Sequence, residues 1–83
     1  MYSIKFSDKA LRFFEKLDKN IQDRIGSVLE RIKIRPQDFI EKLVGEQGYK
    51  LRAGDYRLFS DIIENQLLIF IIEINHRKNA YKK

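Results

Sequence analysis

The 83-residue chain has no cysteine, no tryptophan, one histidine, one proline and four glycines. Without cysteine there is no disulfide framework and no thiolate metal site, which fits a reducing compartment. A single histidine also removes the common zinc-ligand spacings. The carboxylates are scattered and form no group suited to two-metal catalysis. The longest apolar run, "LLIFII" at 67–72, is far short of the roughly 20 residues that cross a bilayer. The N-terminal "MYSIKFSDKALRFF" carries charges throughout and has no signal-peptide core. "GEQGYK" lacks the length and the Lys-Ser/Thr ending of a phosphate-binding loop. These absences lead us to expect a soluble cytoplasmic protein with no membrane segment, no metal and no small-molecule cofactor. The length suits a single domain, 1–83.

What the chain does have is an excess of positive charge. Seventeen Lys/Arg against twelve Asp/Glu give +5, and "HRKNAYKK" at 76–83 holds four of the cations with no acid. A basic balance favours polyanionic partners such as nucleic acid, the ribosome or an acidic protein. Ordinary solubilising charge accounts for the total equally well, so the placement of the cations decides.

Periodicity supplies that placement. Tyr2, Ile4 and Phe6 alternate with Ser3 and Lys5 as in a strand. Ala10, Phe13, Phe14 and Leu17 then mark a helix face, with Ser7 or Asp8 as its N-cap. A second helix over 19–35 carries Ile21, Ile25, Val28, Leu29 and Ile32 on one stripe, capped by Asp18 or Asn20 and bounded by Pro36. Gly26 costs this helix propensity, and a close crossing with the first helix would explain it. Residues 37–48 read as a helical turn and a loop. Strands follow at 49–52, 56–63 and 67–75, the last inside the sheet with cover on both faces. The expectation is an α+β domain of order β-α-α-β-β-β: a small, mostly antiparallel sheet with the two helices on one face.

In "YKLRAGDYRLF", Gly54-Asp55 suits a type II′ turn. Arg52 then faces Arg57 and Lys50 faces Phe59, with all four side chains on one side of the sheet. Tyr49, Leu51, Tyr56 and Leu58 point to the helices. A tight Glu64-Asn65 turn pairs Arg57 with Ile72 and brings His76 onto the same face as Arg57, with Arg77 just beyond. Arg opposite Arg is destabilising unless an anion lies between. Splaying into water, or ion pairs to Asp55, Asp61 or Glu73, would relieve an isolated pair. Four or five cations converging at one end of a sheet favour an anion-binding face. Lys50, His76 and Tyr81 nearby suit metal-independent RNA cleavage, in which a 2′-hydroxyl attacks and cations stabilise the phosphate. Tyr81 reads equally as a packing tyrosine. Arg24, Arg31, Lys33 and Arg35 on the 19–35 helix would suit nucleic-acid binding, but Asp23 and Glu30 among them make it a solvated face.

"LVGEQGYKLRAGDYRLF", then an apolar strand and "HRKNAY", resembles the RelE/ParE toxin family across essentially the whole chain. The family pattern is L-x-G, Y-[KR]-[IL]-R-x-G-x-Y-R, and an apolar strand ending in [GH]-[KR]-R…Y. The resemblance implies a small toxin neutralised by a RelB-like antitoxin. In the RelE branch it implies cleavage of mRNA in the ribosomal A site to a 2′,3′-cyclic phosphate and a 5′-hydroxyl. It assigns Lys50 as base or charge stabiliser and Arg57 as the contact to the scissile phosphate. Arg77 would stabilise the transition state or leaving group, and Tyr81 would stack on the base and orient the nucleophile. Arg52, His76 and Lys78 would bind RNA, with His76 sharing the acid–base work. Two departures stand out. Gly48 occupies a position where some members carry a second lysine, and the Arg77–Tyr81 stretch is shorter, with no helix expected beyond Lys83. The alternative within the family is a ParE-like inhibitor of DNA gyrase without nuclease activity.

Overall fold

The computed structural model describes residues 1–76. β1 (Ser3–Phe6) leads into α1 (Asp8–Glu15) and α2 (Lys19–Ile34). A short 3-10 turn, Pro36–Asp38, precedes β2 (Ile40–Lys42), β3 (Tyr49–Ala53) and β4 (Tyr56–Ile63). A second 3-10 turn, Glu64–Gln66, leads into β5 (Leu68–His76). The sheet order is β1-β5-β4-β3-β2; β1 runs parallel to β5 and every other pair is antiparallel. The expected α+β architecture and element order hold, with β2 added. This strand lies inside the stretch expected to be loop. It is three residues long and only Ile40 turns inward, so alternation had almost nothing to show.

Ser7 caps α1, its Oγ accepting the Ala10 N–H at 3.0 Å. Asp18 occupies the N-cap of α2 without a side-chain capping bond. Both helices pack on one face of the sheet. Ala10, Ile25, Leu29 and Ile32 meet Leu51, Leu58, Ile69, Ile71 and Ile74 there, all at 6% exposure or less. Fully burying such an aliphatic side chain is worth about 1.5–3 kcal/mol, so this layer supplies most of the driving force. Phe6 and Phe14 add a tilted ring contact at 5.4 Å between β1 and α1. A Cβ on Gly26 would meet nothing within 4 Å, so this glycine is not there for a close crossing with α1.

β5 lies inside the sheet, as its apolar sequence suggests, but its cover is one-sided at Ile72, which is 43% exposed. The β4–β5 connection is also longer than a two-residue turn. Ile63 pairs with Leu68, leaving Glu64–Leu67 between them, and Leu67 takes a left-handed φ of 50°. A register shift follows further up the ladder: Ser60 faces Ile71 but Phe59 faces Glu73, so Ile72 is an extra residue in β5.

Candidate active site

The cationic face is built by the β3–β4 hairpin. Gly54 has φ of 63°, and Asp55 is not among the positive-φ residues, as a type II′ turn requires. The register is the expected one, with Arg52 opposite Arg57 and Lys50 opposite Phe59. Leu51, Ala53 and Leu58 point into the core at 2% exposure or less. Lys50, Arg52, Arg57 and Phe59 therefore share the face away from the helices. Arg52 is exposed, while Lys50 and Arg57 are half-buried.

A carboxylate from β2 joins this face. Lys50 Nζ lies 3.7 Å from Glu41 Oε1, across the β2–β3 pair, and not beside Asp55, Asp61 or Glu73. Glu73, opposite Phe59 on β5, pairs with Lys9 of α1 at 3.5 Å. Glu41 escapes a reading of the sequence because its place depends on β2. Across this face the order is Glu41, Lys50, Phe59, Glu73, with Arg52, Arg57 and Asn75 in the next row toward the Gly54 turn.

His76 is a correction. The longer β4–β5 connection moves the register by two residues and the bulge by one more, so Arg57 pairs with Asn75 rather than Ile72. An odd shift reverses the face. His76 consequently pairs with Tyr56 on the helix side, the two rings meeting edge-on at 4.9 Å and 90°. There it helps line a cavity of about 210 Å³ with Asn20, Arg24, Asp55 and Tyr56. Arg77, Lys78 and Tyr81 lie outside the described residues.

Gly48, the position of the absent second lysine, has φ of 104°, and a Cβ there would sit 3.1 Å from the Ser60 carbonyl oxygen. The local backbone accepts no side chain at that point without moving.

Lysine and arginine side chains gathered on one side of a small sheet, with the helices packed on the other, give this α+β domain a cationic face. Arginine supplies the forked donors that fit a phosphate, and lysine adds a point charge. The family is shown by comparison with known proteins. A family model described as the ParE toxin of type II toxin–antitoxin systems, parDE, matches residues 4–81, and the chain belongs to the RelE/ParE toxin family. It is 33% identical over 82 residues to an Escherichia coli protein named as RelE-like toxin, covering 95% of this chain and 86% of the relative. Identity to the mRNA interferase toxin RelE of Escherichia coli K12 is 26% over the same coverage. Among solved structures, the toxin–antitoxin complex RelBE2 of Mycobacterium tuberculosis contains a chain that matches with a TM-score of 0.76 and 27% identity. That match covers 92% of this chain and 98% of the other. The intact RelBE complex of Escherichia coli matches with a TM-score of 0.74 and 25% identity, covering 92% and 96%.

Proposed function

We propose that this RelE-like toxin is a ribosome-dependent endonuclease that cleaves mRNA in the A site and so stops translation. The observation that carries the reading is the convergence of Lys50, Arg52 and Arg57 on the helix-free face. Relatives named mRNA interferase support the reaction class. The substrate's 2′-hydroxyl gives up its proton as its oxygen attacks the adjacent phosphorus without a metal. The bond from phosphorus to the 5′-oxygen breaks, and that oxygen takes up a proton as it leaves, so no net proton is consumed. The products are a 2′,3′-cyclic phosphate and a 5′-hydroxyl. Negative charge builds on the non-bridging oxygens during attack, and preorganised cations stabilise it more than they stabilise the ground state. Arg57 and Lys50 take that role, and Arg52 holds the flanking backbone. Arg77 acts on the leaving group, Tyr81 stacks on a base, and Lys78 adds a phosphate contact. His76, on the helix side, contacts RNA at the edge of the same end and takes no part in the proton transfer.

Both similar solved structures described above are toxin–antitoxin complexes. A RelB-like antitoxin is the partner we assign to this chain, covering the cationic face in the cytoplasm through an acidic, amphipathic segment.

Primer extension on an mRNA in a translation reaction tests the reading, with Arg57→Ala alongside. The expected result is new 3′ ends at the A-site codon that need ribosomes and disappear in the variant. Intact mRNA with arrested growth would point to gyrase instead. Intact mRNA with normal growth would mean the fold without the activity.

A further inference from the structure

Lys50 sits between opposed neighbours. On β2, Glu41 faces it directly, with Oε1 at 3.7 Å from Nζ. Arg52 lies two residues along β3, Arg57 lies on the diagonal and Phe59 is opposite on β4. Glu73 is one strand further across and is engaged by Lys9. The guanidinium side repels the ammonium and the carboxylate side attracts it. The Lys50 side chain is 24% exposed and that of Glu41 is 73%, so much of the lysine stem is covered while the carboxylate remains open to solvent.

We propose that Glu41 is a positioning residue for Lys50. It anchors the ammonium on the β2 side of the face, so that a phosphate settles between Lys50 and Arg57 with both cations in reach. This inference rests on the reading of the face as the site of RNA cleavage. A lysine has a flexible four-carbon stem, and the arginines alone would leave its ammonium turned outward, off the reacting phosphate. Glu41 restricts that freedom before substrate arrives, and a group already in place contributes more to rate than one that must be ordered during reaction. The same carboxylate repels the incoming phosphodiester. Binding and turnover therefore respond to Glu41 with opposite signs, a signature that a merely structural ion pair does not have.

The test is single-turnover cleavage of mRNA on stalled ribosome complexes, titrated with toxin. It compares wild type, Glu41→Gln, Glu41→Asp, Lys50→Ala and the Lys50→Ala/Glu41→Gln double variant. Glu41→Gln should lower the saturating rate about three- to tenfold, because misplacing a reacting group is costly. It should also reduce the toxin concentration for half-saturation by about two- to fivefold, since one repulsive charge is gone. Glu41→Asp should recover most of the rate. In the Lys50→Ala background the rate effect should vanish, because the two residues act as a unit. An unchanged saturating rate overturns the inference, as does an equal loss in both backgrounds. A collapse of about a thousandfold in Glu41→Gln overturns it too, since Glu41 would then be a reacting group itself. Wild-type protein that leaves mRNA intact overturns the cleavage reading and this inference together. An active wild type with an indifferent Glu41→Gln overturns this inference alone.

Discussion

The Ser7 hydroxyl donates to the Ile72 carbonyl at 2.6 Å, and Ile72 is the residue that β5 leaves out of its ladder. The same oxygen accepts the Ala10 N–H at 3.0 Å, and the Ser7 N–H donates to the Ile71 carbonyl at 2.8 Å. One serine thus caps α1 and satisfies a backbone group of the bulge. Because the bulge reverses the face of everything after it in β5, this contact helps decide that His76 meets Tyr56 and that Asn75 joins Arg57.

Ser7→Ala removes both hydroxyl bonds and leaves the Ile72 carbonyl without its serine donor. The expected loss is about 1–3 kcal/mol, a cap plus a hydrogen bond. Urea unfolding should show a lower midpoint with an unchanged slope. A midpoint that stays put would mean neither bond contributes.

The β3–β4 hairpin was legible because Gly54-Asp55 admits few turns and the flanking residues alternate cleanly, so alternation alone sets Lys50, Arg52 and Arg57 on one face. The bulge was not legible. In "LIFIIEI" apolar residues fill both phases, and the step from Ile71 to Ile72 has no alternation to break. The β4–β5 connection misled for a related reason: Leu67 reads as strand by composition but adopts a left-handed turn conformation. His76 inherited both errors. Glu41 was out of reach because one inward residue does not announce a strand.

At the hairpin tip, Gly54 combines φ of 63° with the close approach of Arg24, whose Nη1 and Cδ would lie 3.0 and 3.1 Å from an added Cβ. The arginine is flexible and can give way, so the backbone conformation dominates. Gly54→Ala should cost about 1–2 kcal/mol, the left-handed penalty of an ordinary residue. Gly54→Asn, though larger, should cost less, because asparagine tolerates that region. Paired thermal denaturation of the two variants checks the order. Asparagine proving the worse substitution would mean the contact with Arg24 outweighs the backbone.

Gly26 is the opposite case. It lies inside α2, helps line a groove of about 560 Å³ beside Met1, Tyr2 and Leu29, and has open space where a Cβ would go. Gly26→Ala should stabilise the fold by about 0.5–1 kcal/mol through helix propensity and a less free unfolded chain. Urea unfolding reads this directly. Destabilisation would show that the position needs glycine for a reason other than space.

Tyr2 links the start of the chain to the β4–β5 turn, its hydroxyl donating to Glu64 Oε1 at 2.6 Å. Donation to Glu64 foremost, then burial and the nearby negative charge, raise the phenol above its ordinary value of 10.0. The folded state therefore holds this proton more tightly than the unfolded chain does. The resulting stability is fully present below pH 10 and is lost as pH rises through the higher folded-state value. The informative quantity is the difference between wild type and Tyr2→Phe, in which every other pH effect cancels. That difference should be constant from pH 7 to about pH 9.5 and shrink above it, because only the wild type has this proton to lose. Urea midpoints across that range measure it. A gap that stays constant up to pH 11.5 would show that the Tyr2–Glu64 bond does not couple to folding.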